Sequence, residues 1–75
     1  MGTPIPLRTE FIRLGALLKL AGVAGTGGEA KLMIQDGLVH VNGAAELRRG
    51  AKIRPGDVVS IELEPPVELQ VEAEA

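Results

Sequence analysis

Residues 25–43 read GTGGEAKLMIQDGLVHVNG, and this stretch predicts a helix followed by a β-hairpin. Thr26 and Glu29 have the T-x-x-E spacing of a capping box. In such a box the threonine hydroxyl accepts a hydrogen bond from the Glu29 amide, and the Glu29 carboxylate accepts one from the Thr26 amide. Gly37 stands where the left-handed residue after a helix is expected. The helix is therefore predicted to run from about residue 27 to residue 36.

The residues after this helix predict short strands joined by tight turns. Hydrophobic residues alternate in LVHV, and Asn42-Gly43 is typical of a type I′ hairpin turn. A second turn, Pro55-Gly56-Asp57, precedes the alternating segment VVSIEL. After Pro65-Pro66 the segment VELQVE alternates again, and we expect it to form a last edge strand with an acidic outer face. The N-terminal segment is its expected partner.

The residues before Gly25 predict one more helix. Leu14, Leu17, Leu18 and Ala21 follow the i, i+3, i+4, i+7 spacing of an amphipathic helix, and Gly22 ends it. Residues 1–6 contain two prolines and are expected to be loose or extended. Some strand character follows at residues 11–12.

This order of elements predicts an α+β fold. Two short helices should pack on one face of a small, mostly antiparallel sheet of about three to five strands. The length allows a single domain over residues 1–75. Residues 1–6 and 73–75 are expected to be flexible, as chain ends commonly are.

The composition excludes several classes of site. The chain has no cysteine and a single histidine, His40, so we expect no disulfide, no metal site and no cofactor. Phe11 is the only aromatic residue, which removes base stacking on exposed rings as a general means of binding nucleic acid. No apolar run is long enough to span a bilayer and no signal peptide is visible, so we expect a cytoplasmic protein without a membrane partner.

Catalysis finds little support in the sequence. His40 has no recognisable acid partner, and Ser60 lies in a predicted strand without the G-x-S-x-G pattern of a hydrolase. The glycines at 25–28 do not form a phosphate-binding loop of the G-x-x-x-x-G-K-[ST] type, because Lys31 is not followed by Ser or Thr. They do not form a dinucleotide fingerprint either, because a helix and not a strand precedes them. We expect no enzymatic activity.

The charge distribution favours an anionic partner. The net charge is −2, but five of the ten acidic residues lie in the last fourteen residues. Residues 1–61 carry eight basic and five acidic residues, a net charge of +3. Because screening removes the effect of distant charges beyond about 8–10 Å, a local basic cluster attracts anions even on a weakly acidic protein. Such a cluster occurs within seven residues: Arg48, Arg49, Lys52 and Arg54.

A long stretch of the chain resembles the S4 RNA-binding domain. That family has a short helix with a basic residue, a second helix of the form A-[RK]-x-x-I-x-x-G, the sequence V-x-V-N-G, and a basic stretch before P-G-D-x-[VI]. The matching segments here are LLK at 17–19, AKLMI at 30–34 with Gly37, VHVNG at 39–43 and PGDVV at 55–59. The match covers about fifty residues with almost no gaps. More narrowly, the chain is similar to small stand-alone bacterial S4-like proteins.

The resemblance implies the S4-like (αL-type) fold and binding of structured ribosomal or transfer RNA through the helix pair and the adjoining loop. It places the helical cations at Lys19 and Lys31 and the basic loop at Arg48, Arg49 and Lys52, to which the charge cluster adds Arg54. Phosphate contacts of this kind give affinity that falls steeply with salt. A ribosome or protein partner is left open, and a monomer is expected.

The start of the second helix departs from the family pattern. Many S4 domains have Ser-Arg there, whereas this chain has Thr26-Gly27. Gly27 and Gly28 are poor helix formers in the first turn, and the capping box leaves their amides free. We therefore add Thr26, Gly27 and Gly28 to the candidate RNA-binding residues, as a helix N-terminus that an RNA phosphate could approach. The Glu29 carboxylate opposes a second anion there.

A second hypothesis remains open at this point. The same fold could serve as a protein-interaction adaptor that uses the acidic strand near the C-terminus as its contact surface. The negative net charge and the missing helix arginine favour this alternative.

Overall fold

The computed structural model describes residues 2–74, which form seven strands and two helices. The elements follow in the order β1 (Thr3–Leu7), β2 (Ile12–Arg13), α1 (Leu14–Leu20), α2 (Gly27–Gln35), β3 (Val39–Val41), β4 (Ala44–Ala45), β5 (Lys52–Ile53), β6 (Val58–Ile61) and β7 (Val67–Ala73). None of the helices within residues 2–74 combines the length and the apolar character needed to cross a membrane.

The predicted α+β architecture is confirmed. Five strands form a sheet in the order β1-β7-β6-β3-β4, in which β1 and β7 are parallel and the other pairs are antiparallel. Strands β2 and β5 form a separate antiparallel pair, in which Ile12 faces Ile53 and Arg13 faces Lys52. This small second sheet was not predicted, because two-residue strands leave no alternation in the sequence.

The strand order corrects one expectation. β7 is not an edge strand, because it lies between β6 and β1. Its partner on the outer side is the N-terminal segment, as expected, and Thr3 faces Leu69 while Leu7 faces Ala73. Residues 1–6 and 73–75 were expected to be flexible; of these, Thr3–Pro6 and Ala73 take part in the ladder between β1 and β7. Met1 and Ala75 lie outside the described residues.

Both helices end and begin close to the predicted positions. Gly22, with a φ of 75°, follows α1, and Gly37, with a φ of 78°, follows α2. The Thr26 hydroxyl accepts a hydrogen bond of 3.1 Å from the Glu29 amide, as the capping box predicts. The Glu29 carboxylate, however, accepts from the Gly25 amide at 2.7 Å rather than from the Thr26 amide. The carboxylate thus reaches one residue further back and fixes the loop that enters the helix.

One hydrophobic core lies between the helices and the inner face of the five-stranded sheet. Leu14, Leu17 and Leu18 of α1 are fully buried. Ala30 and Ile34 are the buried residues of α2, and the sheet contributes alternate residues such as Val59 and Leu69. The helices therefore cover one face of the sheet, and their opposite sides remain available to solvent.

The two turns that the sequence predicts, at Asn42-Gly43 and at Pro55-Gly56-Asp57, contact each other. Asn42 and Gly43 have φ values of 52° and 87°, as a type I′ turn requires. The Asn42 side chain donates to Asp57 Oδ1 at 3.0 Å and accepts from the Val58 amide at 2.9 Å. The motif residues Asn42 and Asp57 therefore have a structural role in joining the β3–β4 hairpin to the turn before β6.

Candidate nucleic-acid interface

The loop that carries the basic cluster is bound to the start of α1. Three successive carbonyls of this loop accept hydrogen bonds from that region. The Leu14 amide donates to Ala51 O at 2.9 Å, and the Gly15 amide donates to Arg49 O at 3.0 Å. The Arg13 guanidinium donates to Gly50 O at 2.8 Å. Because the first amides of a helix lack partners within the helix, these bonds both satisfy α1 and fix the loop.

A cleft of about 220 Å³ opens where this loop meets the two helices. It is lined by Arg13, Gly15, Ala16, Lys19, Gly27 and Arg49. Three of these residues are cationic, and they come from three different parts of the chain: the end of β2, the last turn of α1 and the basic loop. The cleft contains no acidic lining residue. Such a site favours an anion.

Three sequence-predicted residues meet in this cleft. Lys19 of α1, Gly27 of α2 and Arg49 of the basic loop all line this cleft. Gly27 is the first residue of α2, and a Cβ atom at this position would have no atom within 4 Å. The backbone of the helix start is thus open to an approaching ligand. The structure therefore brings these residues together at one site.

Arg13 is a cleft residue that the sequence interpretation missed. It precedes α1 and was assigned no role, because it stands alone between apolar residues in FIRL. A signal was nevertheless present, since the predicted helix begins at Leu14 and its N-terminal neighbour must lie close to whatever caps that end. Only the docking of the 48–51 loop, a contact distant in sequence, shows that this cap is the basic loop.

The other predicted residues of α2 lie beside the cleft and do not line it. Lys31 is exposed and stands four residues after Gly27, so the two positions share one side of the helix. Gly28 is exposed and follows Gly27. Thr26 is occupied in capping the helix, since its hydroxyl accepts from the Glu29 amide.

Arg48 is paired with a carboxylate, unlike its neighbour Arg49. Its Nε lies 3.2 Å from Glu46 Oε2, and its Nη2 donates to Glu46 Oε1 at 3.3 Å. These hydrogen bonds hold the pKa of Glu46 below its usual range and raise the pKa of Arg48. Arg48 is thus largely exposed, but its charge is offset by an acidic neighbour.

Lys52 and Arg13 both contact the aromatic ring of Phe11. The Lys52 ammonium lies 4.9 Å from the ring centroid, and the Arg13 guanidinium carbon lies 5.1 Å from it. Cations at these distances are attracted by the negative face of an aromatic ring. The ring therefore holds two cations next to the cleft. Arg54 directly follows β5, and its backbone amide donates to Asp57 Oδ2 at 2.8 Å.

The opposite face of the sheet has an acidic character. On β7, Glu68 and Glu72 alternate with the buried residues Leu69 and Val71, so both carboxylates point away from the helices. The sequence interpretation gave His40 no acid partner; in the structure His40 Nε2 lies 3.9 Å from Oε1 of the exposed Glu62, which is longer than a hydrogen bond. Glu68 and Glu72 thus lie on the face of the sheet that is opposite the helices.

Comparisons with known proteins agree with this architecture. A family model described as an S4 domain matches residues 5–70. The "Probable ribosome maturation protein RlbA" of Bacillus subtilis (strain 168) is 48% identical over 62 residues, which are 83% of this chain and 87% of the relative. The "Putative RNA-binding protein YbcJ" of Escherichia coli (strain K12) is 45% identical over 49 residues, which are 65% of this chain and 70% of the relative.

Proposed function

Because the chain belongs to the S4 domain family, we propose that it is a non-catalytic RNA-binding module that holds structured RNA by its phosphates. The observation that carries the proposal is the cleft of Arg13, Lys19 and Arg49. Three cationic residues that line one cleft with the start of α2 favour an anion. In a protein with one aromatic residue, such a site contacts the RNA backbone rather than the faces of bases.

The proposed contact surface extends beyond the cleft on both sides. Lys31 continues it along α2, and Lys52 continues it along β5 next to Phe11. Arg48 and Arg54 belong to its margin. Recognition by several backbone contacts suits an A-form RNA helix or a compact RNA fold, which proteins bind by shape and phosphate position.

We propose ribosomal RNA as the target in preference to transfer RNA. The support is the name of the Bacillus relative, which describes that protein as a ribosome maturation protein. The relative from E. coli is named only as RNA-binding. On this proposal the protein acts in the cytoplasm as a monomer that joins a ribosomal particle, and it needs no cofactor.

Gly27 takes the place of the arginine that many S4 domains have at the start of the second helix. In our proposal the amides of Gly27 and Gly28, which have no partner within the helix, bind the phosphate that such an arginine would otherwise contact. The Glu29 carboxylate is engaged with the Gly25 amide, in the loop before the helix.

A protein-interaction adaptor is the second candidate function. It is favoured by a shallow groove of about 330 Å³ on the other side of the molecule, lined by Ser60, Ile61, Glu62, Pro66, Val67 and Glu68. If this groove is the functional surface, a pull-down from cell lysate loses its partner when Glu68 and Glu72 are replaced by Lys, and RNA binding is absent.

Crosslinking in cells followed by sequencing of the bound RNA tests the proposed function. We expect ribosomal RNA to be enriched with the parent protein and lost with Lys19→Ala combined with Arg49→Ala. Arg8→Ala is the matched control, because Arg8 is an exposed arginine paired with Glu74 outside the cleft. Enrichment of transfer RNA would contradict ribosomal RNA as the target. The absence of crosslinked RNA would refute the proposed RNA-binding function.

A further inference from the structure

Gly15 lies in the first turn of α1 directly under the side chain of Arg49. A Cβ atom built on Gly15 would be 2.6 Å from Arg49 Cγ and 3.1 Å from Arg49 Cδ. The Gly15 amide also donates a hydrogen bond of 3.0 Å to the carbonyl of Arg49. Both the backbone and the aliphatic part of Arg49 are therefore held against this glycine.

The conformation of the backbone does not explain the glycine. Gly22, Gly37, Gly43 and Gly56 have positive φ values, whereas Gly15 does not. Gly15 is also buried and helical, and glycine inside a helix is less favourable than alanine. The remaining explanation is space. Atoms 2.6 Å apart overlap, and the atom involved is the second carbon of the arginine side chain, close to its backbone.

We infer that Gly15 is a positioning residue, which gives the Arg49 side chain the path along which it lines the cleft. With any larger residue at 15, the arginine has to leave this path while the 48–51 loop remains tied to α1 by the Leu14 and Arg13 hydrogen bonds. The inference rests on the proposed function, since it concerns the same cleft.

A double-mutant cycle between positions 15 and 49 tests the packing without any RNA. The four proteins are the parent, Gly15→Ala, Arg49→Ala and the double variant. We expect Gly15→Ala to lower the melting temperature in the parent and to raise it in the Arg49→Ala protein, because alanine favours the helix once the arginine side chain is gone. An equal effect of Gly15→Ala in both backgrounds would overturn the inference.

The salt dependence of RNA binding by the same four proteins tests the positioning role. We expect Gly15→Ala to make the slope of log affinity against log salt less negative by roughly 0.7–0.9, the value for one lost phosphate contact. The double variant should lose no more than Arg49→Ala alone. A melting temperature that changes while the slope stays at the parent value would make Gly15 purely structural and overturn the proposal.

Gly50→Ala is the matched control for both measurements. Gly50 lies in the same loop, has no positive φ, and a Cβ atom there would have no atom within 4 Å. We expect it to keep the parent slope. Should the parent itself bind no RNA, the proposed function fails and the positioning role fails with it, whereas the stability cycle still reports whether residues 15 and 49 are packed as described.

Discussion

At the scale of single residues, two arginines that are adjacent in sequence have different surroundings in the structure. Arg49 lies along Gly15 and lines the cleft, whereas Arg48 is bound to Glu46. An exposed ion pair contributes little to stability. The Glu46 carboxylate nevertheless offsets the charge of Arg48. The sequence cannot distinguish the two, because the difference depends on how the loop docks on α1.

We expect Arg49→Ala to weaken RNA binding more than Arg48→Ala. The loss at Arg49 should reduce the magnitude of the salt slope by roughly 0.7–0.9, because one phosphate contact is removed. The loss at Arg48 should change it by less, because its charge is already offset by Glu46. Filter binding or fluorescence anisotropy over a range of salt concentrations measures both. Equal effects would show that the Glu46 pair opens when RNA binds.

Glu46→Gln should strengthen RNA binding. Hydrogen bonds from Arg48 lower the pKa of Glu46, so the pair is intact at neutral pH and opens only as the pH falls through this lowered value. The amide removes the negative charge that competes with phosphate for Arg48. We expect the slope to become more negative by at most about 0.9, one further contact. A slope unchanged from the parent would mean that Arg48 does not reach the RNA.

The residues of the cleft were predictable only in part. Lys19, Gly27 and Arg49 were singled out from charge, capping and family resemblance. Arg13 and Gly15 were not, because their roles follow from contacts with the 48–51 loop, more than thirty residues away in sequence. Spacing within an element reveals its faces, but it does not show which distant loop covers an end.

At the scale of elements, α2 is determined largely by local chemistry. The cap at Thr26, the buried residues Ala30 and Ile34 and the left-handed Gly37 were all visible in sequence. The carboxylate of Glu29 was placed on the wrong amide, because the conformation of the preceding loop decides which amide it can reach.

Thr26→Ala should lower the free energy of unfolding by about 1 kcal/mol, within the usual range of 0.5–2 for the loss of an N-cap. The Glu29 amide would lose its hydroxyl partner. Thr26→Ser keeps the hydroxyl and should restore most of the stability. Urea unfolding measures the three proteins. If Thr26→Ala and Thr26→Ser lower the free energy of unfolding equally, the Thr26 hydroxyl does not cap the helix.

The order of the strands was the least predictable feature at this scale. The alternation in VELQVE identifies a strand, but it does not say how many neighbours the strand has. β7 gains its second neighbour from β1, at the other end of the described chain. Its acidic outer face therefore does not protect an edge, as the sequence interpretation had it.

At the scale of the whole molecule, the free edge of β1 is protected in another way. Leu7 O accepts a hydrogen bond of 2.8 Å from the Glu74 amide, so the backbone of Leu7 faces β7. The backbone groups of alternate residues in a strand point to the same edge, so those of Pro4 and Pro6 point away from β7, to the free edge. Proline has no N–H to donate there. The other edge strand, β4, has only two residues. These edges favour a monomer.

Replacing Pro4 and Pro6 together by Val should promote self-association, because two amides and a β-branched side chain at each position make the edge a template for another strand. Sedimentation velocity at increasing protein concentration measures it. We expect the parent and Arg8→Ala, a control at the end of the same strand, to stay monomeric. A monomeric double variant would show that the prolines do not guard the edge.

The position of part of the acidic charge explains how a protein with a net charge of −2 can bind RNA. The cations line the cleft and its margins, whereas Glu68 and Glu72 occupy the other face of the sheet. Because screening limits each charge to its surroundings, the basic side presents a positive field to phosphate. The acidic side then disfavours binding in the reverse orientation.

The salt dependence of binding to purified ribosomal RNA tests the central claim most directly. We predict a linear fall of log affinity with log salt, with a slope of about −3 to −5, as several phosphate contacts from the cleft and its margins require. The double variant Lys19→Ala, Arg49→Ala should make this slope less negative by roughly 0.7–0.9 for each of the two lost phosphate contacts. Arg8→Ala should leave the slope unchanged. No measurable binding at about 50 mM salt would contradict the account.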